Sequence, residues 1–322
     1  MGQLRALTVS QQVGLLFVAL FGVLVIVSLA TFSRSLQDRE PAQQAAHERF
    51  VRDLRAVWTG AAIFWIAWAS GAFVSTLLFG VLSFLALREF VTLTHTRRGD
   101  HRSLLLAFFV VLPVQYLLVG LRYFNAFTVF VPVYVFLAIP VVSALGNDPN
   151  RFLERTAKIQ WGIMVCVYGM SHAPALLLLD LPRYAGRGAF LVLYLVVVVA
   201  AAQIAQEAAI LRLRRRPVAR AISRTFSWRA WGVGLAAGAL VGGLLFWTTP
   251  FGPLAAMAMG FLGGGAGTLG AFVMQALKRD AGVRSWSGRP SVTGAIGLLD
   301  RTAPLCFAAP VFFHSVRWYF GV

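Results

Sequence analysis

Long apolar runs, separated by short polar connectors, set the pattern along this chain. Ten of them approach the length of about 20 residues that a helix needs to cross a bilayer. They run over 13–32, 56–69, 73–87, 104–121, 127–145, 159–179, 190–209, 230–247, 254–277 and 303–320. The second and third form one run that divides at Ser70-Gly71, and the tenth also fits a re-entrant segment. No long period-two alternation is present, so the pattern predicts membrane helices rather than a barrel, since lipid leaves backbone groups to be satisfied internally. The one polar interlude, SRSLQDREPAQQAAHERFVRDLR at 33–55, has mixed charge at helical spacing and reads as an interfacial helix. The expected organisation is an anchor and interfacial segment over 1–55 and a membrane domain over 56–322. The fold class is an all-α polytopic membrane protein of about ten transmembrane helices.

Charge sharpens this picture. Only 13% of residues are charged against 58% hydrophobic, while a soluble domain carries about 25% charged residues. A single water-soluble domain is therefore excluded. The formal net charge of +17 comes from 29 Lys and Arg against 12 Asp and Glu. With the amino terminus outside, twenty-four of the 29 basic residues fall in five cytoplasmic loops, as the positive-inside rule requires. Arg5, the first apolar run and Ser28-Leu29-Ala30 also fit a cleavable signal peptide, but 13–32 is long enough to remain as an anchor. The basic loop LRLRRRPVARAISRTFSWR at 211–229 suits an anionic leaflet, where each basic residue contributes about 1 kcal/mol. It also suits a wall for a lipid or nucleotide phosphate; nucleic acid is not an expected partner.

Groups able to do chemistry are sparse inside the apolar runs. Glu207, near Gln203, reads as a helix-end residue reaching for the interface. His172 precedes Pro174 and is expected to satisfy backbone groups that the proline frees; His314 also reads as structural. His47, His95 and His101 lack metal-ligand spacing. Cys166 and Cys306 lie in apolar runs and give no disulfide or zinc framework. The ninth run holds Gly260, Gly263, Gly264, Gly265, Gly267 and Gly270 without a following GK[ST], so it is no phosphate loop. Small residues there predict close helix packing.

The carboxy-terminal segment is richer. Lys278, Arg279 and Asp280 end one span, and Asp300 and Arg301 open the next after a Gly/Ser-rich loop. Arg offers bidentate contacts to phosphate, and Lys a compact charge. A carboxylate could hold Mg²⁺, which in turn binds phosphate oxygens. The alternative is a solvated loop with an ion pair at two helix ends.

The segment resembles the signature of the phosphatidate cytidylyltransferase (CDP-diacylglycerol synthase) family. The resemblance rests on Lys278-Arg279-Asp280-Ala281-Gly282-Val283, Gly294, Gly297-Leu298-Leu299-Asp300-Arg301 and Phe307-Ala308-Ala309-Pro310-Val311-Phe312-Phe313. Leu82–Phe90 and Gln115–Gly120 also fit bacterial members, so it covers roughly 55–320. Several family positions differ: Ala271, Gln275, Ala295, Ala303, the pair Arg284-Ser285, and Gln203 ahead of Ile204-Ala205-Gln206. Most of the family's acidic residues are thus replaced, and Asp300 is the one retained from the metal-type set.

The resemblance implies transfer of CMP from CTP to phosphatidate, giving CDP-diacylglycerol for phospholipid synthesis. Lys278, Arg279, Asp300 and Arg301 would be catalytic, Arg284, Arg289, Ser223 and Arg224 would bind substrate, and Asp300 with Asp280 would hold Mg²⁺. Expected partners are phosphatidate or a related anionic lipid, CTP, the membrane and a second copy in a homodimer. The expected location is a bacterial inner membrane with the basic loops cytoplasmic. The missing acids keep open a second reading, a catalytically impaired paralogue that binds anionic phospholipid or a partner membrane enzyme. A secondary transporter is disfavoured by the lack of internal repeats and of intramembrane charge.

Overall fold

The computed structural model describes residues 8–35, 44, 47, 51, 54, 58–62, 65–66, 69–94, 96–182, 184–213, 217–223, 226–282 and 297–322. It divides into two units, Met1–Gly71 and Ala72–Val322. Among the described residues the long elements are helices and no strand occurs.

In the first unit, α1 spans Val9–Ser35. Trp58 donates from Nε1 to Ser28 Oγ on α1 at 3.0 Å, and its ring meets Phe21 edge-on at 5.5 Å. The expected interfacial helix at 33–55 lies mostly outside the described residues, as does much of the apolar run at 56–69.

Helix α2, Gly71–Leu93, begins at Gly71 with φ +79°, a backbone state that glycine adopts without strain. This is the break read at Ser70-Gly71. Helix α3 joins His101–Leu106, a π segment Ala107–Val111 and Leu112–Gly120. Helix α4 joins Phe124–Val129, a π segment Phe130–Val135 and Phe136–Ala144. Helix α5 joins Phe152–Gly162, a π segment Ile163–Gly169 and Met170–Leu177. Four single helices follow: α6, Gly188–Leu213; α7, Trp228–Leu244; α8, Pro253–Asp280; and α9, Leu298–Phe320. Helix α9 is unbroken over 23 residues, about 35 Å at 1.5 Å per residue, so the tenth apolar run is a full-length helix.

Among the described residues, five stretches are long and apolar enough to cross a membrane: Gly71–Thr92, Arg98–Gly120, Phe124–Ala144, Gly188–Leu213 and Pro253–Asp280. Helices α5, α7 and α9 also coincide with expected runs. The first two turns of α5 and both ends of α9 carry charges, and α7 has 17 residues.

The π segments leave backbone carbonyls out of register, and side chains from a neighbouring helix or from the next turn of the same helix bond them. Ser83 of α2 donates to the Cys166 carbonyl at 2.6 Å. His172 Nδ1 bonds the Tyr168 carbonyl at 2.7 Å. A carbonyl only accepts, so Nδ1 carries the proton. His172 is structural as expected, but the group it satisfies belongs to the π segment rather than to the carbonyl opposite Pro174.

The glycines of α8 pack as expected. A methyl group added at Gly260 would lie 2.5 Å from the Gly238 carbonyl oxygen of α7, and one at Gly270 would lie 2.5 Å from Phe307 of α9. Without side chains at these positions, α8 sits against α7 at backbone distance and takes side chains of α6 and α9 into its glycine face.

Contacts between connectors sort the helix ends of the second unit. At one end, Arg122 pairs with Asp180 and Arg317 Nη2 donates to Asn125 Oδ1 at 2.8 Å. At the other, basic end, Arg155 binds Asp100 through Nε at 2.9 Å and Asp148 through Nη1 at 2.5 Å. The basic end also carries the ends of α2, α8 and α9 discussed next.

Candidate functional site

Helix α8 finishes with Lys278 and Arg279 in its last turn, and α9 opens with Asp300 in its first turn. Each charge suits the dipole of the helix end that carries it. Lys278 Nζ donates to Asp300 Oδ1 at 2.6 Å, and both side chains are only about one quarter exposed. The two residues that carry the resemblance on either side of residues 283–296 therefore meet directly.

A third helix supplies a residue not expected from the sequence. Glu89, near the end of α2, is 4% exposed. Its carboxylate accepts the Leu298 amide at 3.1 Å and the Leu299 amide at 3.3 Å. A helix N-terminus has unpaired amides, and Glu89 caps α9 from another element. Gly297, at φ +71°, turns the chain into that cap. Asp300 is near enough for the two carboxylates to repel, and Lys278 offsets the repulsion. The site is thus a lysine and two carboxylates at the meeting point of α2, α8 and α9. The signal was present: Glu89 is an acid ending an apolar run inside the matched stretch Leu82–Phe90.

The other expected site residues are placed as follows. Arg279, Asp280 and Arg301 are exposed at the ends of α8 and α9. Ser223 is buried in the connector before α7, its amide bonded to Ala219 O at 2.8 Å. Arg224, Arg284 and Arg289 lie outside the described residues. Asp280 lines a cavity of about 330 Å³ that neither Lys278 nor Asp300 lines. Glu207 is exposed on α6. Among the described residues no three His, Cys, Asp or Glu side chains gather as a metal-binding group, so Asp280, Asp300 and Glu207 do not form one.

Whether the donors suit Mg²⁺ follows from what each oxygen already does. Both Glu89 oxygens receive amides, and Asp300 Oδ1 receives Lys278. Mg²⁺ commonly takes one or two protein carboxylates and completes its shell with water and substrate phosphates. Asp300 can provide that single carboxylate once a phosphate draws Lys278 away. The described side chains do not support a two-metal arrangement.

Comparison with known proteins gives the lineage. The model of the cytidylyltransferase family matches residues 50–319. The chain is also 34% identical over 305 residues to a protein of Escherichia coli strain K12 named Uncharacterized protein YnbB, covering 93% of this chain and 96% of that protein. The matched region covers the eight helices α2 to α9, the last up to residue 319, including the α2, α8 and α9 ends that build the Lys278–Asp300–Glu89 site. This chain belongs to the cytidylyltransferase family.

Proposed function

We propose that this protein transfers CMP from CTP to phosphatidate or a closely related lipid phosphate, at the Lys278–Asp300 site. The observation that carries the reading is the 2.6 Å contact between Lys278 and Asp300, which joins the two blocks of the matched signature at one helix junction. In this reaction a phosphate oxygen of the lipid attacks the α-phosphorus of CTP and pyrophosphate leaves. Such transfer asks the protein chiefly to position the reactants and to neutralise charge.

Lys278 is part-buried and paired, so an arriving phosphate would exchange with Asp300 for its ammonium group. Arg279 and Arg301, exposed at the flanking helix ends, would hold the outer phosphates, with Arg284, Arg289 and Arg224 completing the expected binding surface; Ser223 is buried and would stay out of it. Asp300, released from Lys278, would hold one Mg²⁺, and Asp280 would stay outside that shell. The ion would supply charge neutralisation on the phosphates, worth several kcal/mol in the transition state. Glu89 would act through α9, fixing the turn that presents Asp300. The basic end would face the cytoplasm, where CTP is found, in agreement with the positive-inside count.

A second reading, a paralogue that binds anionic phospholipid or a partner enzyme without chemistry, draws on one observation. Ala271 and Ala303 stand where the resemblance implies acids, leaving Asp300 to act alone. The test is CTP- and Mg²⁺-dependent formation of CDP-lipid by the purified full chain in mixed micelles containing phosphatidate. Product that is lost in Asp300→Ala supports transfer. Lipid retention without product supports the binding paralogue.

A further inference from the structure

The cavity of about 330 Å³ at the basic end lies apart from the Lys278–Asp300 pair. Its lining runs from charged to apolar. Glu154, Ala157, Lys158 and Trp161 contribute from α5, Phe90 and Thr94 from α2 and the turn after it, and Leu277 and Asp280 from α8. The α5 residues recur at i, i+3, i+4 and i+7, so they form one stripe along the helix. Trp161 lines the cavity and is 43% exposed, and tryptophan is enriched at headgroup depth in membranes.

The charges in this cavity are unusual for a chain of formal net charge +17. Asp280 is exposed and has no hydrogen bond or ion pair among the described residues. Lys158 Nζ contacts Glu154 Oε1 at 2.8 Å, while Arg151 Nε holds Glu154 Oε2 at 2.7 Å. Lys158 can therefore turn to another anion and leave Glu154 paired. The cavity offers one carboxylate without a protein partner among the described residues and one ammonium group able to exchange partners, beside the apolar side chains of Phe90, Leu277 and Trp161.

We infer that this cavity binds the headgroup of an aminophospholipid, with the ligand's primary ammonium on Asp280 and its phosphate on Lys158. The acyl chains would leave along Trp161. A nucleotide triphosphate would meet two carboxylates here. A lipid with phosphate but no amine would leave Asp280 unpaired beside it. A quaternary choline headgroup has no N–H to donate to the carboxylate. The volume falls at the small end of ligand sites and suits a headgroup rather than a whole lipid. The inference does not depend on CMP transfer.

Native mass spectrometry of the detergent-purified full chain tests it. Dioleoyl phosphatidylethanolamine, phosphatidylglycerol and phosphatidylcholine are titrated in competition, with dioleoyl phosphatidate measured in parallel. The expected result is one retained phosphatidylethanolamine, bound about tenfold more tightly than the other two competitors, as a charge-assisted hydrogen bond would give. Asp280→Asn should remove most of that preference, Lys158→Met should weaken retention, and Asp280→Glu should keep both. Equal binding of the three competing lipids by wild type, or full selectivity in Asp280→Asn, would overturn it. Should Asp280→Asn fail to fold, the wild-type competition decides alone. Loss of phosphatidate binding or of CMP transfer would instead count against the Lys278 site and leave this result standing.

Discussion

Arg155 shows how one side chain orders a whole end of the molecule. It is 5% exposed and bonds Asp100 by Nε, Asp148 by Nη1, Asn150 O by Nη1 at 2.8 Å and Asp148 O by Nη2 at 3.1 Å. Asp100 is 1% exposed and also accepts the Arg97 amide at 2.9 Å. Arg155→Met would strand Asp100 as a buried charge and should cost about 3–5 kcal/mol, seen as a lower Tm in detergent. The loop acid adds a pH dependence. The Asn150 backbone amide, then the Asn150 side chain and Arg155, hold the Asp148 carboxyl below its usual range. Glu154 is also lowered, chiefly by its hydrogen bond from Lys158. A depressed acid contributes stability above its unfolded pKa, near 4, and loses it as pH falls through the folded value. Tm should therefore drop on acidification below about pH 4, less steeply in Asp148→Asn, with the Glu154 part remaining. The Asp100 partner is not readable from the sequence, because it lies 55 residues before Arg155 and only the fold makes the two neighbours.

At the scale of elements, the cap of α9 and the glycine face of α8 make opposite demands. Glu89→Ala leaves two amides of α9 without a partner and should cost about 1–2 kcal/mol. Glu89→Gln keeps an acceptor and should cost less; thermal unfolding of the two variants beside wild type checks the order. Gly260→Val would force a side chain against the Gly238 carbonyl, whereas Gly232 has nothing within 4 Å of an added Cβ. Overpacking of a fitted interface costs about 1–3 kcal/mol or more. Gly260→Val should lower Tm and the yield of monodisperse protein, while Gly232→Val should change neither by much. Most elements were legible: apolar runs locate α2 to α9, the Ser70-Gly71 break is real, and small residues foretell the α8 contacts. The π segments were not. Pro113, Pro132 and Pro174 interrupt helical hydrogen bonding near these segments, but which carbonyl the distant Ser83 satisfies depends on how helices pack.

For the whole molecule, family and helical architecture follow from the chain pattern, and Lys278 and Asp300 meet as the matched blocks imply. What the sequence concealed was the company they keep: Glu89 from a segment some 200 residues earlier, and Asp280 turned toward a separate cavity. Neighbouring positions on one helix end face different directions, and adjacency in sequence does not reveal it. The central claim is that Lys278 and Asp300 do more than tie α8 to α9. The most direct measurement is CMP transfer from labelled CTP to phosphatidate by wild type and by the exchanged double variant Lys278→Asp/Asp300→Lys. The exchange preserves an ion pair but sets each charge against the dipole of its helix end, so it should fold with a Tm below wild type. It moves the carboxylate off α9, so transfer should fall by about a thousandfold or more, the loss of metal assistance worth several kcal/mol. Wild type that transfers no CMP, or an exchanged variant that transfers it as well as wild type, would contradict the account.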